Sequence, residues 1–200
     1  MTRDWQDLYR YWFSEIEDSH DWVKTRLPIW FFGSPEEDAR IQADFVPWLS
    51  AITPEEEAAW KQTPRGFLTL ILLFDQVPRN AFRGTPQSFA HDDRGLRLAE
   101  EFLARGLVRD LEGIEAFWVF LPFQHQETMA GQRMSVVGVN LQAERARQDH
   151  GIFFGIARDM ARRHHAAIER FGRFPHRNAI LGRESSGEEV QFLTDPKNHF

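Results

Sequence analysis

Four short motifs constrain this chain more than anything else in it. Residues 34–38 read SPEED, 53–57 read TPEEE, 63–67 read TPRGF and 186–189 read SGEE. Each begins with a Ser or Thr whose hydroxyl can accept a free N–H at the start of a helix. In the first two, Pro follows at the first helical position and Glu at the third, the spacing of a capping box. Ser186 and Glu189 repeat that spacing, and Thr63–Pro64 is a shorter form. Four such starts commit much of the chain to helix.

Hydrophobic spacing agrees. Phe153, Ile156, Met160, Ala167, Ile168 and Phe171 lie mostly three or four residues apart, one stripe of a helix over about 149–171. Leu96, Ala99, Phe102 and Leu103 mark a second helix, ended by Gly106. Trp5, Leu8, Tyr9, Trp12 and Phe13 mark the first. The run FLTLILLF (67–74) has no period. It is Leu-rich and follows a Thr-Pro cap, so it is expected to be a buried helix. No run of alternating β-branched residues and no Asn-Gly turn occurs. The fold class is therefore all-α: one helical domain over residues 1–200, an array of packed helical hairpins. No repeat near 34 residues is evident.

Composition narrows the function classes. Hydrophobic residues make up 42% of the chain and aromatic residues 14%, which excludes disorder. There is no cysteine, hence no disulfide, no thiolate zinc site and no thiol catalysis. The longest apolar runs, 67–74 and 116–123, fall far short of the ~20 residues that span a bilayer, so no membrane is expected. The start, MTRDWQDLYRYW, has acidic residues and no apolar stretch, which argues against a signal peptide. The expected location is the cytoplasm. Net charge is −6, and no basic stripe is interleaved with aromatic residues, so nucleic acid is not an expected partner.

Chemistry-bearing residues gather in three segments. PRNAFRG (78–84) and PHRNAILGR (175–183) echo one another. If Pro78 and Pro175 each open a helix, then Arg79, Asn80, His176, Arg177 and Asn178 fall in first turns. Free N–H groups and guanidinium donors there suit a phosphate or carboxylate. The competing reading pairs these arginines with Asp75, Glu127 or Glu184 to pin helices together. The third segment, LPFQHQET (121–128), carries His125 and Glu127, either a proton-transfer pair or a hydrogen-bonded structural histidine. His164 and His165 are adjacent, about 100° apart on a helix, and suit no shared metal. His91-Asp92 matches the dipeptide of helical metal-dependent phosphohydrolases, but Asp92 and Asp93 better suit a helix start. Neither a metal nor a cofactor is expected, and no nucleophile elbow, Walker loop or dinucleotide fingerprint is present.

The blocks LLFDQVPRNAFRGTPQSFAHD (72–92), LPFQHQE (121–127) and FGRFPHRNAILGRESSGEEVQFL (171–193), with YWFSE at 11–15, resemble the bacterial domain of unknown function 924 family across nearly the whole chain. The resemblance implies an all-helical fold with tetratricopeptide-like hairpin packing and no recognisable repeats. It implies no activity and transfers no catalytic residue. Where the family often has His-Ser-Glu-Asp, this chain has His125, Gln126, Glu127 and Thr128, so a serine nucleophile or a second carboxylate is missing at that point.

Two functional readings result. The first is a protein- or peptide-binding module on the concave surface of stacked helical hairpins, a reading that exposed aromatic residues would support; the sequence does not separate core from surface among the seven tryptophans. The alternative is a binder of, or enzyme acting on, a small anionic metabolite. Its cleft would gather Asp75, Gln76, Arg79, Asn80, His125, Glu127, Arg173, His176, Arg177 and Asn178. In it Arg79 and Arg177 hold the anion, His125 carries a proton, and Asp75 or Glu127 orients the imidazole. A third reading makes these residues purely structural.

Overall fold

A computed structural model describes residues 3–199; residues 1, 2 and 200, which belong to the domain as read from the sequence, lie outside the described residues. Twelve α-helices occur among the described residues, and no strand: α1 Trp5–Phe13, α2 His20–Leu27, α3 Pro35–Asp44, α4 Val46–Ala51, α5 Pro54–Trp60, α6 Pro64–Ala81, α7 Asp92–Ala104, α8 Gly113–Phe117, α9 Leu121–Gln124, α10 Met129–Arg145, α11 Gly151–Phe171 and α12 Gly187–Phe192. None of them is long and apolar enough to cross a membrane.

The four cap motifs start α3, α5, α6 and α12. Ser34, Thr53, Thr63 and Ser186 accept from the backbone N–H of Glu37, Glu56, Gly66 and Glu189. The reciprocal half of the box forms at Thr53 and Ser186. It does not form at Ser34, because the Glu37 carboxylate instead accepts the Tyr11 hydroxyl from α1. A tertiary partner has outcompeted the local one. Gly106 follows α7 in the left-handed region, φ +68°, as expected of a helix-ending glycine. The stripe expected over 149–171 is α11, preceded by one 3₁₀ turn at Gln148–His150.

One boundary differs. Pro78 does not open a helix; it lies in the last turn of α6. Proline cannot return a hydrogen bond to the carbonyl four residues back. That loss falls close to the helix end. Every residue from Phe67 to Pro78 is buried, so packing holds the helix together through it. Arg79 and Asn80 therefore face C-terminal carbonyls rather than free N–H groups. Arg79 Nη1 donates to the Asp75 carbonyl at 2.7 Å and Asn80 Nδ2 to that of Gln76 at 3.2 Å. Pro175 does begin a helical turn, but a 3₁₀ turn of three residues, Pro175–Arg177, too short to make an N-terminal anion site.

α6 is the buried axis. It packs against α1, α3 and α7, while α10 packs against α8, α9 and α11. The tryptophans join the two halves. Trp12, Trp22, Trp30, Trp60 and Trp118 are buried, and Trp5 and Trp48 pack against the same core. Trp118 meets Trp12 edge-on at 5.1 Å and Trp30 at 5.5 Å, and Trp30 meets Phe153 at 5.1 Å, a favoured arrangement of aromatic quadrupoles. Among the described residues, Phe32 is the one large aromatic side chain left exposed. The tryptophans, which the sequence leaves open between core and surface, belong to the core.

α10 approaches the segment after α8 through Gly138. A Cβ there would lie 2.1 Å from Phe120 Cδ1 and 2.2 Å from its Cγ. Gly138→Ala is expected to cost about 1–3 kcal/mol, the usual range for overpacking. Urea denaturation checks this; an unchanged midpoint would mean that α10 does not sit so close.

Candidate functional site

The end of α6, the end of α9, the middle of α11 and the segment after α11 enclose a cavity of about 390 Å³. Of the ten residues singled out in the sequence, six line it: Gln76, Arg79, Asn80, His125, His176 and Arg177. Asp75 is not on the wall. It is buried and contacts His125 from within α6. The other three do not line the cavity. Glu127 accepts from both Arg183 Nη groups, at 2.7 and 2.9 Å, and from the Phe174 N–H at 2.7 Å. Arg173 forks onto Glu189 at 2.7 and 2.8 Å. Asn178 is fully buried and donates to Ser185 Oγ at 3.0 Å. These groups fasten the segment after α11 to itself and to the α9–α10 connection.

Asp75 organises the inner wall. Its Oδ1 lies 2.8 Å from His125 Nδ1 and 3.1 Å from Arg79 Nη1, and its Oδ2 accepts from Gln76 Nε2 at 2.6 Å. Burial by itself would raise the Asp75 pKa; Arg79 and His125 outweigh it and bring the carboxyl down to about 2. An ionised carboxylate can only accept, so His125 Nδ1 carries the proton. Burial, with Arg79 adding to it, lowers the His125 pKa against the pull of Asp75, so the ring is neutral at pH 7. Its Nε2 then holds the lone pair of a ring that lines the cavity.

Arg79 is held between two carboxylates. Beyond Asp75, its Nη2 lies 2.8 Å from Asp92 Oδ1, close enough for an ion pair but off the line of a hydrogen bond. Arg83, at the mouth, forks onto Asp38 and reaches Asn80. Arg177 is different. Its side chain is 8% exposed, yet its five N–H groups make no hydrogen bond among the described residues, and Nε is buried without a partner. Asp92 Oδ2 stands off at 3.7 Å. The guanidinium lies over Phe89 at 4.5 Å and over Phe174 at 4.6 Å. Burial, then the neighbouring Arg79, lowers its pKa to about 10, which still leaves it charged at pH 7.

The sequence places Asp92 at a helix start but does not show that it bridges Arg79 and Arg177. Its position in the first turn of α7 is a local property; its partners are not. Nor does the sequence reveal that His164 lines the cavity, where it donates Nδ1–H to the Met160 carbonyl at 2.9 Å, or that Trp30, Phe31 and Phe89 form an aromatic wall. Among the described residues no group of three His, Asp or Glu is placed to hold a metal ion.

The model of the family described as bacterial protein of unknown function (DUF924) matches residues 8–197. The chain belongs to this family. It is similar to the solved structure of the protein of unknown function ATU0120 from Agrobacterium tumefaciens, with a TM-score of 0.75 and 31% identity over 94% of this chain and 96% of that one. Comparison with curated proteins gives no significant match. Membership in DUF924 agrees with the sequence blocks at 72–92, 121–127 and 171–193, all of which border or fasten the cavity.

Two outcomes test this arrangement. Asp75→Ala leaves the buried Arg79 and His125 without their shared carboxylate and is expected to cost about 3–5 kcal/mol, read from urea denaturation. The second concerns pH. Burial, together with Arg177, depresses His176 from 6.5 to about 3, and burial also lowers His125 and His164. Below pH 6.5 the unfolded chain therefore binds more protons than the folded one, and stability falls as pH falls. For His176 alone the loss at pH 5 is about 2 kcal/mol. His176→Asn should flatten the decline between pH 7 and pH 5 by about that amount; an unaltered slope would show that His176 is not held in a dry site.

Proposed function

We propose that this protein binds a small organic anion in the cavity and moves a proton on it. The observation that carries the reading is Arg177, a buried guanidinium on the cavity wall whose hydrogen-bonding capacity is unused among the described residues. Buried donors without acceptors are costly, so such a group is poised for an acceptor that arrives from outside. The Asp75–His125 pair supports the second half. Asp75 fixes the tautomer, and His125 Nε2 is the site that accepts a proton, the resulting imidazolium being stabilised by the carboxylate behind it. Among the described residues that line the cavity, Ser88 alone carries a hydroxyl, and it donates to the Thr85 carbonyl. The proton therefore comes from a water or from the ligand itself.

The other reading, a docking module for a protein or peptide, would be supported by exposed tryptophans. With those residues packed in or against the core, the tryptophans do not supply that support.

Thermal-shift and calorimetric titration with a panel of small carboxylates and phosphates test the proposal. Arg177→Gln is expected to weaken binding of any hit by about 10- to 100-fold, as loss of a charged hydrogen-bonded contact does, while folding normally. His125→Asn should keep binding and slow turnover by about 10²- to 10⁴-fold. If Arg177→Gln instead fails to fold while the wild type binds no anion, Arg177 is structural and the proposal falls.

A further inference from the structure

The charge and shape of the same cavity bear on which anion it would take, a question that rests on the reading of Arg177 as the anchor. Charge comes first. The buried cluster holds two guanidinium groups, Arg79 and Arg177, and two carboxylates, Asp75 and Asp92, so it is balanced before any ligand enters. Arg79 and Arg83 are each held by carboxylates at 2.8 to 3.1 Å, whereas Arg177 has no hydrogen bond among the described residues and no carboxylate nearer than 3.7 Å. A dianionic phosphate in such a site asks for several cations or a nest of backbone N–H groups. The helical turn at Arg177 is three residues long and offers no such nest. A carboxylate brings one charge and a planar pair of oxygens that matches one guanidinium edge. The rings of Phe89 and Phe174 cover the guanidinium, and its N–H edge is the part left to receive a ligand.

One part of the remaining wall is apolar. Trp30, Phe31, Phe89, Leu121, Met160 and Ile180 line the cavity. Trp30 and Phe31 come from a single π-helical turn, Pro28–Phe32, closed by the Gly33 N–H on the Pro28 carbonyl at 2.7 Å. π-turns are rare and concentrate at functional sites. This one is held in place by packing, since Phe31 stacks on Trp118 at 6.0 Å and on Phe153 at 5.7 Å. A volume of about 390 Å³ is at the small end of ligand sites.

We infer that the ligand is a monocarboxylate with an aromatic or similarly bulky apolar body, its carboxylate on Arg177 and its body against Trp30, Phe31, Leu121 and Met160. The test is calorimetric titration of the full chain with phenylacetate, phenyl phosphate, phenylacetamide and acetate. Phenylacetate is expected to bind at least about tenfold more tightly than each of the other three: than phenylacetamide for want of a charge, and than acetate for want of a buried ring. Arg177→Gln should abolish the advantage over phenylacetamide, and Phe31→Ala the advantage over acetate. Tighter binding of phenyl phosphate, still dependent on Arg177, overturns the carboxylate assignment and leaves the anion site standing. Equal binding of acetate and phenylacetate overturns the apolar half. Binding of none of the four to the wild type, or binding indifferent to Arg177, overturns both this inference and the anion site beneath it.

Discussion

Asp75 places a carboxylate in the middle of a Leu-rich helix, at 1% exposure. Removing such a charge from water costs several kcal/mol, and close partners must offset that cost. Those partners come from the helix itself and from beyond it: Arg79 and Gln76 one turn away or less, and His125 at the end of α9. Arg79 in turn reaches Asp92 at the start of α7, and Asp92 reaches toward Arg177 in the segment after α11. One buried charge thus ties together four parts of the chain, and the cavity is the space that remains among them.

The aromatic core performs a different task. Trp12, Trp30, Trp118 and Phe153 join α1, the π-turn, the segment after α8 and α11 through ring contacts. These contacts are apolar, so they fix the cavity wall without competing for the polar groups. The segment after α11 is fastened separately, by Arg183 on Glu127 and Arg173 on Glu189. Its arginines therefore divide by role. Arg173 and Arg183 are paired and hold the segment down. Arg177, between them in sequence, has no hydrogen bond among the described residues and lines the cavity.

Much of the helical framework is legible without the structure. The caps at Ser34, Thr53, Thr63 and Ser186 and the stripe of α11 depend on spacing within three or four residues, and the buried character of 67–74 is legible from its unbroken apolar composition. The departures share a cause. Local chemistry makes Pro78 a helix breaker, but burial of the preceding turns carries α6 past it. Glu37 leaves its expected cap for Tyr11, a residue 26 positions away. The tryptophans could be core or surface on any local criterion, and packing alone separates the two.

Residue order is enough to establish that the chain is helical, where many of its helices begin, which family it belongs to and where its polar side chains concentrate. Local hydrogen bonds and hydrophobic spacing hold that information, and they act over a few residues. Which of those polar groups are paired is settled by packing. His125 meets Asp75 across 50 positions and Arg183 meets Glu127 across 56. Identical arginines are distinguished only by whether a carboxylate arrives within reach, and that depends on how whole helices come together. The unused donors of Arg177 are a property of that packing, written nowhere in its own segment.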